Sequence, residues 1–187
     1  MQKSEKKYPL VLIAGPSGSG KTTLIKSIVD KDCRFCKCIA TTTRDKRPGE
    51  IEGKDYFFTD KASFLRMQDK GELMEPIEYA NNFYSHTKAF INKSIEENKI
   101  PILDATIDWY RKTKNLNEFN IVDIFIKPSS MDVLKERLSK RGSQSSAETN
   151  KRLEIAKKEI ANSKEFSYVV VNDDLEKAVQ EILDIIK

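Results

Sequence analysis

Residues 15–22 read Gly-Pro-Ser-Gly-Ser-Gly-Lys-Thr and directly follow the apolar run Leu10–Ala14. Glycines at these spacings let the backbone curl so that several N–H groups point at a phosphate group. Lys21 can then reach the β- and γ-phosphates, and Thr22 can offer its hydroxyl to Mg²⁺. Apolar residues at helical spacing follow the loop: Leu24, Ile25 and Ile28. Because a strand precedes the motif and a helix follows it, the stretch predicts a phosphate-binding loop rather than an ordinary glycine-rich turn.

The length and charge of the chain limit the classes of protein to which it can belong. Its 187 residues suit one core domain, which at this size buries about 70% of its extended surface and folds without a partner. The 33 basic and 29 acidic residues give a net charge of +4, with no basic run that would indicate a nucleic-acid groove. Met1 to Tyr8 is charged and lacks an apolar leader core, and no stretch approaches the ~18 apolar residues of a membrane span. We expect a cytoplasmic protein, monomeric or homodimeric, that binds neither nucleic acid nor membrane.

Three cysteines, Cys33, Cys36 and Cys38, lie close together in the sequence. A structural zinc site usually needs four ligands, and the only histidine, His86, is far from this cluster. We therefore expect reduced, partly buried thiols on a strand, and no metal site.

The apolar pattern alternates between strands and helices along the chain. Nearly continuous apolar runs predict buried strands of a parallel sheet: Leu10–Ala14, Ile100–Ala105, Ile121–Ile126 and Tyr168–Val171. Helical patterns cover about residues 21–30, 61–69, 87–98, 131–140, 147–163 and 174–186. This alternation predicts an α/β fold with three layers, in which the parallel sheet forms a P-loop core.

Two regions interrupt the alternation. Residues 36–85 are rich in Thr, Arg, Gly, Glu and Tyr, and we expect an acceptor-binding insertion over about residues 36–90, beyond the carboxyl ends of the strands. Gly142 to Ser146 is polar and predicts a mobile loop within a lid of about residues 137–152. Residues 1–187 are thus expected to form one domain, with a core of about residues 8–35, 96–136 and 153–187.

A second informative stretch, residues 41–50, reads Thr-Thr-Thr-Arg-Asp-Lys-Arg-Pro-Gly-Glu. Arg44 and Arg47 are three residues apart, and Tyr56 follows nine residues later. Arginine presents a planar fork that matches phosphate oxygens, and a tyrosine hydroxyl can donate a further hydrogen bond. The stretch therefore predicts a second phosphate site, with a solvated basic turn as the alternative.

Several motifs together give the chain a family resemblance. Besides the phosphate loop they are Thr42-Thr43-Arg44-x-x-Arg47-Pro48-Gly49-Glu50, Gly53-x-Asp55-Tyr56, Gly71-Glu72-Leu73-Met74-Glu75, Asn82-Phe83-Tyr84, Arg137-Leu138-x-x-Arg141-Gly142, Lys151-Arg152-Leu153 and Val171-Asn172-Asp173-Asp174-Leu175. In their order and approximate spacing, the chain resembles the guanylate kinases from about Leu10 to Lys187. The resemblance implies transfer of the γ-phosphoryl group of ATP to GMP or dGMP with Mg²⁺, giving ADP and GDP or dGDP.

Two other functions stay open. A kinase of the same fold could act on a different nucleoside monophosphate. Guanylate kinase-like domains that only bind protein partners also exist, but such modules generally lack a working phosphate loop, which this chain keeps.

The resemblance also implies binding residues. Those for ATP are Gly15, Ser17, Gly18, Ser19, Gly20, Lys21, Thr22, Thr23 and Asn172. Asn172 would contact the adenine, although it could also cap the following helix. The phosphate of the acceptor nucleotide would be held by Arg44, Arg47, Tyr56 and Tyr84. Glu75 would accept hydrogen bonds from guanine, unless it is an ordinary surface residue.

The resemblance implies that positive charge surrounds the transferring phosphoryl group, supplied by Lys21, Arg137, Arg141 and Arg152. An arginine in this role contributes about 10³–10⁵ in rate, although Arg137 could equally lie on a solvated helix face. Asp104, which lies in the acceptor site at the end of a strand, would hold the Mg²⁺ shell together with Thr22.

Three acceptor-site positions depart from the family. Ala40 replaces a serine that contacts phosphate, His86 replaces a Ser or Thr that faces guanine O6, and Thr106 replaces an Asp that supports the guanine amino group. His86 and Thr106 could supply equivalent contacts or reshape the pocket for another base, and His86 could instead lie exposed in a loop. Asp108 and Trp109 replace a Gln-Gly pair, so we expect a different turn with more packing.

Overall fold

The computed structural model describes residues 8–79, 81–114, 116, 118–140 and 146–187, without the side chains of residues 146–148. The strands are β1 Tyr8–Ala14, β2 Phe35–Cys38, β3 Ala40–Thr42, β4 Tyr56–Phe58, β5 Leu73–Tyr79, β6 Asn82–Thr87, β7 Ile100–Ala105, β8 Phe119–Lys127 and β9 Tyr168–Val171. The helices are α1 Lys21–Lys31, α2 Lys61–Asp69, α3 Lys88–Glu96, α4 Ile107–Thr113, α5 Met131–Lys140, α6 Ser146–Ala161 and α7 Leu175–Ile185, and a short 3₁₀ helix spans Ser163–Glu165.

A parallel sheet with the strand order β2-β7-β1-β8-β9 forms the core. In its central strand, β1, the residues Leu10–Ala14 are completely buried. Successive side chains of a strand point to opposite faces, so Leu10 and Leu12 pack on the side of α3 and α4. Val11 and Ile13 pack against α1 and α7 on the other side. Helices therefore cover both faces of the sheet.

A second sheet, with the order β4-β3-β6-β5, follows the core strand β2 in the chain. β3 is parallel to β4 and antiparallel to β6. α2 begins after Asp60, whose side chain accepts a hydrogen bond from the backbone N–H of Ser63 at 2.8 Å. The fully buried Phe64 of α2 stacks on Phe83 of β6, with ring centroids 5.6 Å apart. This contact packs α2 against the second sheet, whose buried Met74 and Ile77 belong to the same hydrophobic cluster as Leu10 and Leu12 of the core sheet.

The predicted α/β fold with a parallel sheet is confirmed. The four predicted strands are β1, β7, β8 and β9, and the six predicted helices match α1, α2, α3, α5, α6 and α7 apart from small shifts at their ends. α4 was not predicted because its seven residues are too few to show a helical period. β2 belongs to the core sheet, although the insertion was expected to begin at residue 36. Arg141 and residues 142–145 of the predicted lid loop lie outside the described residues.

The cysteines lie at the edge of the core sheet. Cys36 and Cys38 are on β2, as expected for strand thiols, whereas Cys33 is exposed before it. Burial raises the pKa of the Cys38 thiol well above its usual value. In the described ranges no cluster of three His, Cys, Asp or Glu residues could hold a metal ion. The described helices include none with the length and apolar character to cross a membrane.

Candidate active site

A cavity of about 820 Å³ lies where the phosphate loop, the second sheet, α4 and α6 face one another. The loop lines it with Gly15, Ser17, Gly18, Gly20, Lys21 and Thr22. Of the other predicted loop residues, Ser19 is fully buried and Thr23 is exposed, and neither lines the cavity. The other predicted residues that line this cavity are Arg44, Arg47, Tyr56, Tyr84, His86, Asp104 and Thr106. One cavity therefore joins both predicted phosphate sites.

The conformation of the phosphate loop requires glycine at its start. Gly15 has a φ of +146°, and a Cβ atom there would lie 2.2 Å from the carbonyl oxygen of Ile126. No side chain caps the N-terminus of α1 at Gly20, which leaves that end suited to an anion. The Lys21 Nζ atom donates to the carbonyl oxygens of Gly15 at 2.7 Å and Pro16 at 3.3 Å. The ammonium group thus lies within the loop.

Asp104 reaches the phosphate loop because β1 and β7 are parallel neighbours. Ile13 is opposite Asp104 in their register, and the Lys21 Nζ atom lies 3.9 Å from Asp104 Oδ1. Thr22 and Asp104 both line the cavity. They offer hydroxyl and carboxylate oxygens, the hard donors that Mg²⁺ prefers. The donor set therefore fits the predicted metal.

Asn172 and Arg137 lie behind the loop rather than in the cavity. The Asn172 side chain is buried, and its Nδ2 atom donates to the carbonyl oxygen of Ser19 at 2.8 Å. The Asn172 carbonyl oxygen accepts from Arg137 Nη2 at 2.9 Å. Both residues thus support the loop, and the predicted contacts to adenine and phosphoryl group remain predictions. The alternative helix cap is wrong, because Asp174 caps α7.

Arg44 forms a bidentate ion pair with Glu50 at the wall of the cavity. Its two terminal nitrogens donate to both Glu50 oxygens, at 2.7 and 3.0 Å, and its guanidinium lies 5.3 Å from the Tyr56 ring centroid and 5.7 Å from that of Phe58. The Glu50 carboxylate also accepts from the Arg47 backbone N–H at 2.8 Å. Burial opposes the charge of Glu50, but its hydrogen bonds with Arg44 and Arg47 leave its pKa below the usual value. Arg44 is thus fixed in direction before any ligand arrives.

Two tyrosines continue this wall. The rings of Tyr56 and Tyr84 meet edge to face with centroids 6.2 Å apart, and both line the cavity. Burial, with the nearby charge of Asp104, raises the pKa of Tyr56 to about 12. Its hydroxyl therefore stays protonated and can donate to a phosphate oxygen.

Glu75 is not brought together with the other acceptor residues. It is exposed on β5 and does not line the cavity. The register between β5 and β6 shifts between Met74 and Ile77, and β5 contributes Ile77 and Tyr79 to the cavity instead. The position of Glu75 therefore gives no support to the predicted contact with guanine.

Ala40, His86 and Thr106, three positions that depart from the family, all line the cavity. His86 on β6 is opposite Ala40 on β3, and it is only 4% exposed, so the alternative of an exposed loop residue is wrong. Burial lowers the pKa of His86 to about 4, with the backbone of Asp104 and Ile39 acting in the opposite direction. The Thr106 hydroxyl caps α4 by accepting from the backbone N–H of Trp109 at 3.2 Å.

α6 lines the cavity with Lys151, Arg152, Ile155 and Glu159. Arg152, one of the predicted catalytic arginines, thus lines the same cavity as Lys21. Burial raises the pKa of Glu159, whereas the charge of Lys21 lowers it. Glu159 was not predicted as a site residue, because no feature of the neighbouring sequence distinguishes it from Glu154, which is exposed. Glu50 and Trp109 were also not assigned to the site, although Glu50 closes the arginine motif.

Residues 6–187 match the sequence model of a family described as Guanylate kinase. A guanylate kinase from Wolbachia sp. subsp. Brugia malayi is 37% identical over 95% of this chain and 91% of its own length. One from Thermotoga maritima is 37% identical over 97% of this chain and 87% of its length. The crystal structure of guanylate kinase from Anaplasma phagocytophilum superposes with a TM-score of 0.75 at 28% identity, covering 96% of this chain and 84% of that one.

Proposed function

Because the chain belongs to the guanylate kinase family, we propose that it phosphorylates GMP and dGMP with ATP. A phosphate oxygen of the acceptor attacks the γ-phosphorus, the bond from this phosphorus to the β,γ-bridging oxygen breaks, and ADP leaves. The observation that carries the proposal is the single cavity that joins the phosphate loop to Arg44, Tyr56 and Tyr84.

We assign the two substrates to different parts of the cavity. The loop holds the ATP phosphates, while Arg44, Arg47, Tyr56 and Tyr84 hold the acceptor phosphate and aim its attacking oxygen. Lys21 of the loop and Arg152 of α6 line the same cavity, and we assign to them the stabilisation of charge on the transferring phosphoryl group. No general base is needed, since a phosphate oxygen is already nucleophilic. Arg137 and Arg141 stay predicted members of this set.

Thr22 and Asp104 would hold Mg²⁺, as their donor atoms permit. When bound, the ion supplies positive charge to the ATP phosphates. We also infer a cytoplasmic location, which the free cysteines support, and a monomer or homodimer that binds small-molecule nucleotides and neither nucleic acid nor membrane.

The two alternatives are not favoured. Named relatives over nearly the whole chain are guanylate kinases, and the loop geometry with Lys21 in place argues against a pure interaction module. A different acceptor base would appear as a preference for another nucleoside monophosphate.

The test is ADP release with ATP·Mg²⁺ against GMP, dGMP, AMP, UMP, CMP and dTMP, with Lys21→Ala as the blank. GMP or dGMP should be the best acceptor. Another preferred base would replace the proposal by a kinase of the same fold with a different acceptor. Absence of both turnover and ATP binding would indicate an interaction module.

A further inference from the structure

Two buried ring nitrogens at the wall of the cavity have no hydrogen-bond partner within the described part of the chain: Nδ1 of His86 and Nε1 of Trp109. Both residues line the cavity, and both are almost fully buried, with 4% and 2% of their surface exposed. Buried polar atoms in proteins are almost always paired. The wall of the cavity therefore contains two polar groups whose hydrogen-bonding capacity is not used within the described part of the chain.

The rings are held firmly in place. Trp109 lies in the first turn of α4, where its backbone N–H bonds the Thr106 hydroxyl and its carbonyl oxygen accepts from the Thr113 hydroxyl at 2.9 Å. His86 meets the indole ring at 73°, with centroids 5.5 Å apart. A donor fixed in this way loses little freedom when a ligand binds.

The chemistry of each nitrogen limits the partner. An indole Nε1–H is a donor only, so it requires an acceptor atom. An uncharged imidazole offers one donor and one acceptor. A carbonyl oxygen on a base would accept the hydrogen bond of the indole N–H. An exocyclic amino group at the same place would be a second donor facing the indole, so no hydrogen bond would form between them.

We propose that Trp109 selects the base of the acceptor nucleotide by donating its Nε1–H to a carbonyl oxygen of the base, with His86 as the second polar contact. This inference rests on the proposed function, in which a nucleoside monophosphate fills the cavity. Guanine has a single carbonyl oxygen, O6, and adenine has none. The indole therefore favours 6-oxopurines, GMP and IMP, over AMP.

The first test combines Trp109→Phe, which keeps a ring but removes the N–H, with removal of O6 from the substrate. GMP is compared with the 5′-monophosphate of 2-aminopurine riboside, which lacks O6 and keeps the amino group. Trp109→Phe should lower kcat/KM for GMP about tenfold, as expected for a lost hydrogen bond to a buried group. It should change kcat/KM for the 2-aminopurine nucleotide less than about twofold. Equal losses for both nucleotides, or no loss for GMP, would overturn the inference.

Tyr110→Phe is the matched control. Its hydroxyl donates to the Glu165 carbonyl oxygen at 2.9 Å, away from the cavity, so the ratio of the two substrates should stay as in the unaltered chain. A shifted ratio in this control would show that any loss of packing in α4 changes selectivity, and would also overturn the inference.

A second measurement does not depend on a folded variant. Trp109 is the only tryptophan of the chain, so its fluorescence reports the base subsite directly. Titration with GMP alone should change the emission to saturation, and so should titration with IMP, which keeps O6 and lacks the 2-amino group. Saturating binding of GMP, detected by calorimetry, without a change in emission would overturn the role of Trp109. Failure of the unaltered chain to phosphorylate GMP would instead overturn the proposed function.

Discussion

The carboxamide of Asn172 occupies the space beside Gly20 in which any other residue would carry its Cβ atom. A Cβ atom at Gly20 would lie 2.2 Å from Asn172 Nδ2. The φ of Gly20 is +93°, a backbone conformation that residues other than glycine rarely adopt. Gly20→Ala should therefore destabilise the fold by about 1–3 kcal/mol and weaken ATP binding, measured by urea unfolding and calorimetry.

Part of the stability lost in Gly20→Ala comes from the clash of the new Cβ atom with the Asn172 side chain. The effects of substitutions at Gly20 and Asn172 on the free energy of unfolding should therefore not be additive. In an Asn172→Ala background, Gly20→Ala should cost clearly less than it does alone. Asn172→Ala by itself leaves the Ser19 carbonyl unpaired and should cost about 1–3 kcal/mol. Strictly additive losses in the double variant would contradict this account of the loop.

Lys21→Ala should reduce turnover by about 10²-fold or more, because it removes the positive charge held within the loop. The comparison is Lys26→Ala, an exposed residue on the same helix, which should keep full turnover. Both variants should fold, as checked by circular dichroism. Near-normal turnover of folded Lys21→Ala would remove this lysine from the catalytic set.

Glu50→Gln should raise KM for GMP about tenfold and change kcat little, because the bidentate pair with Glu50 holds the Arg44 guanidinium at the wall of the cavity where the acceptor phosphate is proposed to bind. Steady-state kinetics with saturating ATP measures the effect. Glu96→Gln, an exposed change on α3, is the control. A lower KM in Glu50→Gln would show that the glutamate competes with the substrate for Arg44.

Stability should fall as the pH decreases from about 6.5 toward 4, because the pKa of His86 is lowered to about 4 in the folded chain. In that window the unfolded chain binds a proton that the folded chain does not, with a slope approaching 1.4 kcal/mol per pH unit. Above the unfolded pKa the contribution is constant. Urea unfolding between pH 5 and 7 should show this slope in the unaltered chain and lose it in His86→Gln. The same slope in both proteins would refute a buried, uncharged His86.

The phosphate loop was predictable because its backbone conformation requires particular residue types at fixed positions. Gly15, for example, leaves no room for a Cβ atom beside the carbonyl oxygen of Ile126. The long buried strands and the capped helices follow from similar local rules. β3 and β4 have only three residues each, too few for an alternating pattern to be recognised.

Other features depend on contacts between distant parts of the chain. The Asn172 side chain meets Ser19 across 153 residues, and nothing near Asn172 in the sequence distinguishes a support for the loop from a contact to adenine. The exposure of Glu75 coincides with a local register shift in β5. The pairing of His86 with Trp109 depends on how β6 and α4 pack.

The chain segments that connect the second sheet to the core are short both where the chain enters this sheet and where it leaves it. Ile39 is the single residue between β2 of the core and β3 of the second sheet, and α3 starts immediately after β6, capped by Thr87. Any rotation of the second sheet toward the phosphate loop must therefore be concentrated in the backbone torsions at these two hinges. The Ile39 side chain at the first of these hinges is buried, and the predicted acceptor residues Tyr56 and Tyr84 lie on β4 and β6, beyond this hinge in the chain.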